Sequence, residues 1–235
     1  MAEQHIAVLA AFGMVSDQPV LRQSERSDNY RQALDRLREQ DLAFACHCSR
    51  TDLTASNGIH LECVARPSGK TPAWRLRAPH HEIVFHDHIR GRFAQSLRTE
   101  IGDVVLLRSD GYWAYQLAVV VDDAEQAITD VVRGADLLDS TPRQIWLQQC
   151  LGLPTPRYAH LPTVLGADGK KLAKSLASAP VDPADPLPAL RLAWKCLGQQ
   201  PHALHTARNS AQALDLALAN FEPARIPAID MPATM

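Results

Sequence analysis

The sequence contains no apolar run approaching the roughly 18 residues that a membrane-spanning helix needs. Its first residues, AEQHIAVLAAFGM, include a glutamate and a histidine and lack the basic start and small-residue cleavage site of a signal peptide. A strong excess of charge is also absent, because the formal net charge is −2, and any contact with nucleic acid must therefore be local. We predict a cytoplasmic protein with no membrane partner.

Length and composition predict a globular protein with a sizeable core. The 235 residues are 46% hydrophobic and 21% charged, which is ordinary for one large domain or for a domain with an insertion. Strand-like and helix-like segments alternate along the chain, which indicates the α/β class. A proline-rich stretch, PVDPADPLP, separates this alternation from two further predicted helices near 187–198 and 209–220.

Three of the five cysteines fall between positions 46 and 63, and in a cytoplasmic protein such clustering indicates metal binding more than disulfides. Cys46 and Cys48 are two residues apart, so their thiols share one side of an extended strand. His60 and Cys63 are three apart and share one face of a helical turn. Three thiolates and one imidazole can form a closed, structural zinc site. The spacing is equally compatible with three unrelated core cysteines and a surface histidine.

The most informative stretch is PRYAHLPTVLGADGKKLAKS, residues 156–175. It predicts a strand that enters a Gly-Ala-Asp-Gly turn, followed by Lys171, Lys174 and Ser175. Lysine ammonium groups on a glycine-rich loop suit ATP, because they can stabilise the phosphate charge of a transition state. Taken alone, a Gly-Lys-Lys stretch is more often a solvated basic turn.

The order of His-Leu-Pro, an apolar strand, Gly-x-Asp-Gly and Lys-Leu-x-Lys-Ser resembles the second signature loop of class I aminoacyl-tRNA synthetases, and is closest to their glutamate-specific branch. The cysteine segment resembles the zinc-binding insertion of the glutamyl-Q tRNA(Asp) synthetases, the stand-alone paralogues of glutamyl-tRNA synthetase. The family has a tyrosine where this chain has His60, and its gap to the last cysteine is one residue longer. The resemblance covers roughly residues 5–200, and it implies Cys46, Cys48, His60 and Cys63 as zinc ligands.

The resemblance also implies residues that hold glutamate. Tyr115, in DGYWAYQLAVVVDD, matches the tyrosine that meets the bound amino acid, and Arg133, in VVRGADLLDSTPRQIWL, matches the arginine that holds a glutamate carboxylate. A guanidinium can bind a carboxylate through two parallel hydrogen bonds. Without the resemblance, the sequence favours a core tyrosine and a surface arginine. QSER, residues 23–26, also resembles a family string, and we assign it no chemistry.

For ATP, the resemblance implies a second set of residues. Lys174 matches the lysine that contacts ATP, and Lys171, on the same loop, is expected to assist the leaving pyrophosphate. Ser175 closes the motif. His160 is expected near the adenine, and a purely structural role in its strand is an equal alternative.

The fold that the resemblance implies is an α/β, Rossmann-like class I synthetase catalytic domain with a zinc-binding insertion and a short C-terminal helical part. We accordingly predict a catalytic core over 1–43 and 105–175, with its N-terminal part missing. The zinc-binding insertion is predicted over 44–104, a helical region over 176–225 and a disordered tail over 226–235.

The opening of the family pattern has no counterpart in this sequence. The family begins with a Pro-Ser-Pro-x-Gly-x-x-His-x-Gly loop, which cradles the ATP phosphates at a helix N-terminus. A strand ending in Arg-x-Glu-Asp follows, and this acidic strand and the neighbours of the loop contact the amino group and the carboxylate of glutamate. Residues 1–20 resemble the segment that follows. We therefore expect a truncated chain, either from a downstream start or as a natural remnant, with severely reduced activation of glutamate.

The activity that the resemblance implies is activation of glutamate with ATP and Mg²⁺, followed by transfer to queuosine at the wobble position of tRNA(Asp). The implied partners are that tRNA, glutamate and ATP, the cofactor is one structural Zn²⁺, and we expect a monomer. Only 60 residues follow Ser175, too few for the anticodon-binding region of a full glutamyl-tRNA synthetase. A non-catalytic, zinc-containing RNA-binding remnant is the alternative, and a generic α/β protein would require every match to be chance.

Overall fold

The computed structural model of the chain describes residues 2–65, 69, 71–166 and 181–232. The chain divides into two compact units. Residues 22–132 and 137–159 form what we call the central unit, and residues 1–21, 133–136 and 160–235 form the terminal unit. Helices and strands are both present throughout, so the predicted α/β class is confirmed.

The central unit is built on an antiparallel sheet of three strands in the order β1-β2-β5. These are β1 (Ala43–Cys46), β2 (Ala73–Leu76) and β5 (Val104–Leu107). Three helices pack around the sheet: α2 (Ser27–Glu39), α4 (Tyr115–Glu125) and α5 (Thr141–Leu151). Their apolar faces close the main core, whose most buried large side chains include Tyr30, Leu37, Leu76, Leu106, Leu117 and Leu147.

A β-hairpin forms the second sheet of the central unit, with β3 (Ile83–Asp87) paired antiparallel to β4 (Gly91–Gln95). Asp87 closes its turn, because Asp87 Oδ1 accepts hydrogen bonds from the backbone N–H groups of Ile89 and Arg90. The short helix α3 (Leu97–Glu100) follows. A second apolar cluster fixes the hairpin to α5, and its buried members are Ala78, Ile83, Leu97, Ile145 and Tyr158.

Two further strands, β6 (Asp130–Gly134) and β7 (Arg157–Leu161), form a two-stranded sheet. A 3₁₀ segment, Ala135–Ser140, leads from β6 into α5. α5 ends at Gly152, whose φ of 66° is the left-handed conformation that glycine adopts readily at a helix C-terminus.

The terminal unit contains the helices α1 (Ala2–Ala11), α6 (Leu187–Cys196) and α7 (Ser210–Asn220). Its own core includes the buried residues Phe12, Leu190, Ala207 and Ala213. Two short strands, β8 (Val164–Leu165) and β9 (Met231–Pro232), pair in parallel. The segment predicted as a tail, 226–235, is therefore described as far as β9. Among the described helices, none has the length and apolar character needed to cross a membrane.

Candidate metal centre and substrate-binding residues

The four residues predicted as metal ligands meet at one place in the central unit. The ligand atoms of Cys46, Cys48, His60 and Cys63 all lie within 4.8 Å of one another. Cys46 ends β1, Cys48 lies two residues further on, and both pack with Leu53 in a small apolar cluster. Cys46, Cys48 and His60 are buried, whereas Cys63 is exposed. The sequence spacing therefore predicted a real cluster of four side chains that could hold a metal ion.

The geometry of this cluster suits a tetrahedral metal ion. Zinc bonds of about 2.3 Å to sulfur and about 2.0 Å to nitrogen place the N and S atoms of a tetrahedral site about 3.5 Å apart. His60 Nε2 lies 3.2 Å from Cys46 Sγ and 3.8 Å from Cys63 Sγ. The donor set of three sulfurs and one nitrogen is typical of closed structural zinc sites. Such a site would hold the irregular segment 47–65 against the sheet.

Ionisation of the thiols depends on their neighbours in the cluster. Burial opposes ionisation of Cys48, but hydrogen bonds from the backbone of Ala65 and Val64 and from neighbouring thiols outweigh it and lower the pKa of Cys48. Burial and the adjacent Cys46 sulfur raise the pKa of Cys63 to about 12. Several thiolates so close together repel one another, and a bound cation would remove that penalty.

The imidazole of His60 is held by a carboxylate on its far side. His60 Nδ1 lies 2.9 Å from Asp103 Oδ2, and both side chains are buried. Asp103 Oδ1 accepts a hydrogen bond of 2.8 Å from the backbone N–H of Ala78. This contact fixes the ring so that Nε2 faces the three sulfurs, as carboxylates do behind many zinc-bound histidines.

Gly102 lets the backbone carrying Asp103 approach His60. Gly102 has φ of +78°, and a Cβ added to it would lie under 3.0 Å from the backbone N, C and O of His60. The backbone N–H of Asp103 donates to His60 O at 2.7 Å. Only glycine satisfies both the conformation and the space at this position.

Tyr115 lies at the first residue of α4, half-exposed, on the wall of a cavity in the central unit. The cavity has a volume of about 1080 Å³ and extends to Cys48 and Gly58 of the metal cluster segment. Three arginines line it: Arg50, Arg75 and Arg108. Arg75 Nη1 donates to Asp103 O at 3.0 Å, and Arg75 Nε is buried with no hydrogen-bond partner among the described atoms.

A buried ion-pair network fixes the helix that begins at Tyr115. Asp122, two turns along α4, accepts hydrogen bonds from Arg26 Nε at 2.7 Å and from Gln23 Nε2 at 2.9 Å. The hydroxyl of Tyr30 donates to the same carboxylate at 2.9 Å. These contacts give the QSER string, residues 23–26, a structural role that its sequence alone does not disclose.

Arg133 and His160 are neighbours in the terminal unit. Arg133 Nε donates to His160 Nε2 at 3.1 Å, and His160 is fully buried. The histidine therefore acts as an acceptor that orients the guanidinium. The structure describes both Tyr115 and Arg133, but Tyr115 belongs to the central unit and Arg133 to the terminal unit. Lys171, Lys174 and Ser175 lie outside the described residues.

Sequence reasoning missed several residues that support these groups. Asp103 and Gly102 are 43 and 42 residues from His60 along the chain, and no local sequence pattern connects them with it. Gln116, next to Tyr115, donates to Ser140 Oγ at 3.2 Å and accepts from Gln144 Nε2 at 2.9 Å. Their positions depend on packing between α4 and α5, which no local pattern encodes.

Comparisons with known proteins identify the family and the fold of the chain. The family model described as tRNA synthetases class I (E and Q), catalytic domain, matches residues 65–184. A glutamate tRNA ligase from Elizabethkingia meningosepticum, solved with its amino acid, has a TM-score of 0.76 and 22% sequence identity, covering 99% of this chain and 57% of its own. The glutamate-tRNA synthetase of Elizabethkingia anophelis has the same TM-score at 23% identity. The chain thus spans little more than half of these solved chains, which share its fold.

The fold and the matched family define a ligase with a class I aminoacyl-tRNA synthetase catalytic domain. Curated relatives are closer in sequence. The glutamyl-Q tRNA(Asp) synthetase of Xanthomonas campestris pv. campestris (strain 8004) is 57% identical over 229 residues, covering 97% of this chain and 77% of the relative. That of Neisseria meningitidis (strain FAM18) is 47% identical over 239 residues, covering 96% and 80%. The chain belongs to the glutamyl-Q tRNA(Asp) synthetase family.

Proposed function

We propose that this chain activates glutamate with ATP and transfers it to queuosine at the wobble position of tRNA(Asp). The observation that carries the proposal is the 57% identity, over nearly the whole chain, to a relative named for that activity. The site geometry supports it through an oriented arginine in the terminal unit and an arginine-lined cavity beside Tyr115 in the central unit.

The reaction has two steps, and the protein contributes mainly positioning and charge stabilisation. First, a carboxylate oxygen of glutamate attacks the α-phosphate of ATP; an O–P bond forms, the bond to pyrophosphate breaks, and glutamyl-adenylate results. Second, a hydroxyl of queuosine attacks the activated carbonyl. An ester forms, AMP leaves, and the hydroxyl proton is released.

Glutamate is the ligand that we assign to Arg133 and Tyr115. The guanidinium of Arg133, whose Nε donates to His160, is the group that would bind a carboxylate of glutamate. Tyr115 is 44% exposed, so its hydroxyl is available to a ligand in the cavity. The cavity is larger than an amino acid requires, and its arginines suit the phosphate groups of a nucleic acid.

ATP, with Mg²⁺, is assigned to the lysine loop on the evidence of its sequence. We propose that Lys174 contacts ATP, that Lys171 assists the leaving pyrophosphate and that Ser175 closes the loop. The predicted contact of His160 with the adenine stays a prediction, and its bond to Arg133 adds an orienting role.

We propose zinc as the ion of the metal cluster, held by Cys46, Cys48, His60 and Cys63 in a structural role. When bound, zinc would neutralise the thiolates and hold segment 47–65 in place. We further propose the division into catalytic core, zinc-binding insertion (44–104) and helical region (176–225), a monomer, and the cytoplasm as the site of action.

The experiment is glutamate-dependent ATP–pyrophosphate exchange by the zinc-loaded chain. We expect exchange above the background that is measured without glutamate. The variant Arg133→Gln should lose about 10- to 100-fold in kcat/KM for glutamate, since a hydrogen bond to a charged group contributes about 1.5–3 kcal/mol. Arg208→Gln is the control, because Arg208 is exposed in the same unit.

Absence of exchange from a folded, zinc-loaded chain would contradict the proposed activation step. Binding of tRNA(Asp) without exchange would favour the alternative, a non-catalytic RNA-binding protein. Equal losses in the Arg133 and Arg208 variants would remove Arg133 from the glutamate site.

A further inference from the structure

A second cavity of the central unit has no role in the function proposed above. It has a volume of about 500 Å³, and Asp103, the carboxylate that contacts His60, is part of its wall. Its wall contains Arg77, Arg98, His80 and His81, together with the ring of Trp146. A volume of this size lies within the usual range of small-ligand sites.

The charge of this cavity favours an anion. Asp103 is its acidic wall residue, and both of its carboxylate oxygens are occupied, by His60 and by the backbone N–H of Ala78. The guanidinium of Arg77 is held 4.6 Å over the ring of Phe44, with its Nε bonded to Asp41 O at 3.2 Å. Arg98 has no hydrogen bond or ion pair with any described residue, and its guanidinium is therefore available to a ligand.

The cavity also presents aromatic surface in a fixed orientation. Trp146 Nε1 donates to Arg77 O at 2.8 Å, which anchors the indole. The ring of His81 lies edge-on to it, with centroids 5.6 Å apart and planes at 82°. Arginine beside an anchored aromatic ring is the combination that binds a phosphate and stacks an unpaired base.

The segment that supplies much of the cavity wall is basic in sequence, in contrast to the chain as a whole. Residues 73–98 contain five arginines and four histidines but two acidic residues, whereas the formal charge of the chain is −2. One of those acidic residues, Asp87, is buried in the hairpin turn. On the hairpin, His86 lies opposite Arg92, both are exposed, and Arg92 pairs with Glu82 at 3.9 Å.

We propose that this Arg77–Arg98 cavity binds one nucleotide of the RNA substrate, with its phosphate on the two arginines and its base against Trp146 and His81. The inference rests on the proposed function, in that RNA is the partner. The proposed RNA contact is local and basic. It is separate from the cavity beside Tyr115, because the two cavities share no lining residue.

The test is binding of tRNA(Asp) to the zinc-loaded chain by fluorescence anisotropy across a range of salt concentrations. Arg98→Ala removes no hydrogen bond within the described chain, so the fold should be retained. We expect it to weaken binding roughly fivefold to tenfold near 0.1 M salt and to lower the slope of log K against log salt by about 0.7. Arg98→Lys should retain the slope and lose less affinity. Arg36→Ala, at an exposed arginine of α2, is the matched control and should be unchanged.

Ultraviolet cross-linking of the bound tRNA, followed by peptide mass spectrometry, should identify a peptide containing His81 or Trp146. If wild-type chain binds tRNA while Arg98→Ala keeps both its affinity and its salt slope, the cavity inference is overturned and the proposed function stands. If free AMP binds the cavity as tightly as tRNA does, RNA is not its ligand. If wild-type chain binds no tRNA, both the inference and the proposed function fail.

Discussion

Replacing Gly102 by alanine tests whether the metal centre depends on the close contact between Gly102 and the backbone of His60. Two costs add at this position. An alanine in the left-handed region costs about 1–2 kcal/mol, and the new Cβ, under 3.0 Å from three backbone atoms of His60, adds an overpacking cost of about 1–3 kcal/mol. We therefore expect a loss of about 2–5 kcal/mol in the free energy of unfolding.

The same substitution should also weaken metal binding. Relieving the overlap requires a backbone shift of roughly 1 Å, whereas metal–ligand distances tolerate about 0.2 Å. His60 supplies the nitrogen of the cluster and Gly102 lies directly against its backbone. We expect zinc affinity, measured by competition with a chelator, to fall at least tenfold.

Gly58→Ala provides the matched control for both measurements. Gly58 lies in the same segment with φ of +83°, but a Cβ there would meet nothing within 4 Å. This variant should lose only the conformational cost, about 1–2 kcal/mol, and keep its zinc affinity. The two variants are compared by urea unfolding and by chelator competition. Equal losses of stability and of zinc affinity would show that the contact between Gly102 and His60 does not support the metal centre.

Two further substitutions test the groups that hold the sites. Asp103→Asn should reduce zinc affinity about 10- to 100-fold by chelator competition, because His60 loses its orienting carboxylate; Asp52→Asn, an exposed carboxylate of the same segment, should not. Asp122→Asn should lower the free energy of unfolding by about 3 kcal/mol in urea, since it leaves Arg26 nearly buried with only Glu125 as partner. Asp35→Asn, which breaks an exposed ion pair, should cost about 0–1 kcal/mol, and equal costs would contradict the role of burial.

The spacing of residues that are close in the sequence was enough to predict the metal cluster. The spacing within the pairs Cys46–Cys48 and His60–Cys63 predicted a cluster, and the structure brings both pairs together. Cys48 lies just beyond β1, and residues 60–63 form a bridge and bends in place of the expected helical turn. Such features need no information about distant residues.

Contacts between distant segments could not be predicted in the same way. The carboxylate that contacts His60 Nδ1 belongs to Asp103, 43 residues further along the chain. The partner of Arg133 is His160, 27 residues further along the chain. The helix α4 begins at Tyr115. The position of this helix is fixed by packing and by the hydrogen bonds of Asp122. The partners Tyr30 and Gln23 are 92 and 99 residues from Asp122 along the chain.

Transfer of radiolabelled glutamate to tRNA(Asp) in the presence of ATP tests the proposed function from activation to product. The zinc-loaded chain is incubated with tRNA(Asp) that bears queuosine, and with the same tRNA bearing guanosine at the wobble position. We expect label on the queuosine-bearing tRNA alone, and we expect mild alkali to release it because the bond is an ester. Equal labelling of the two tRNAs, or no label from a folded chain, would contradict it.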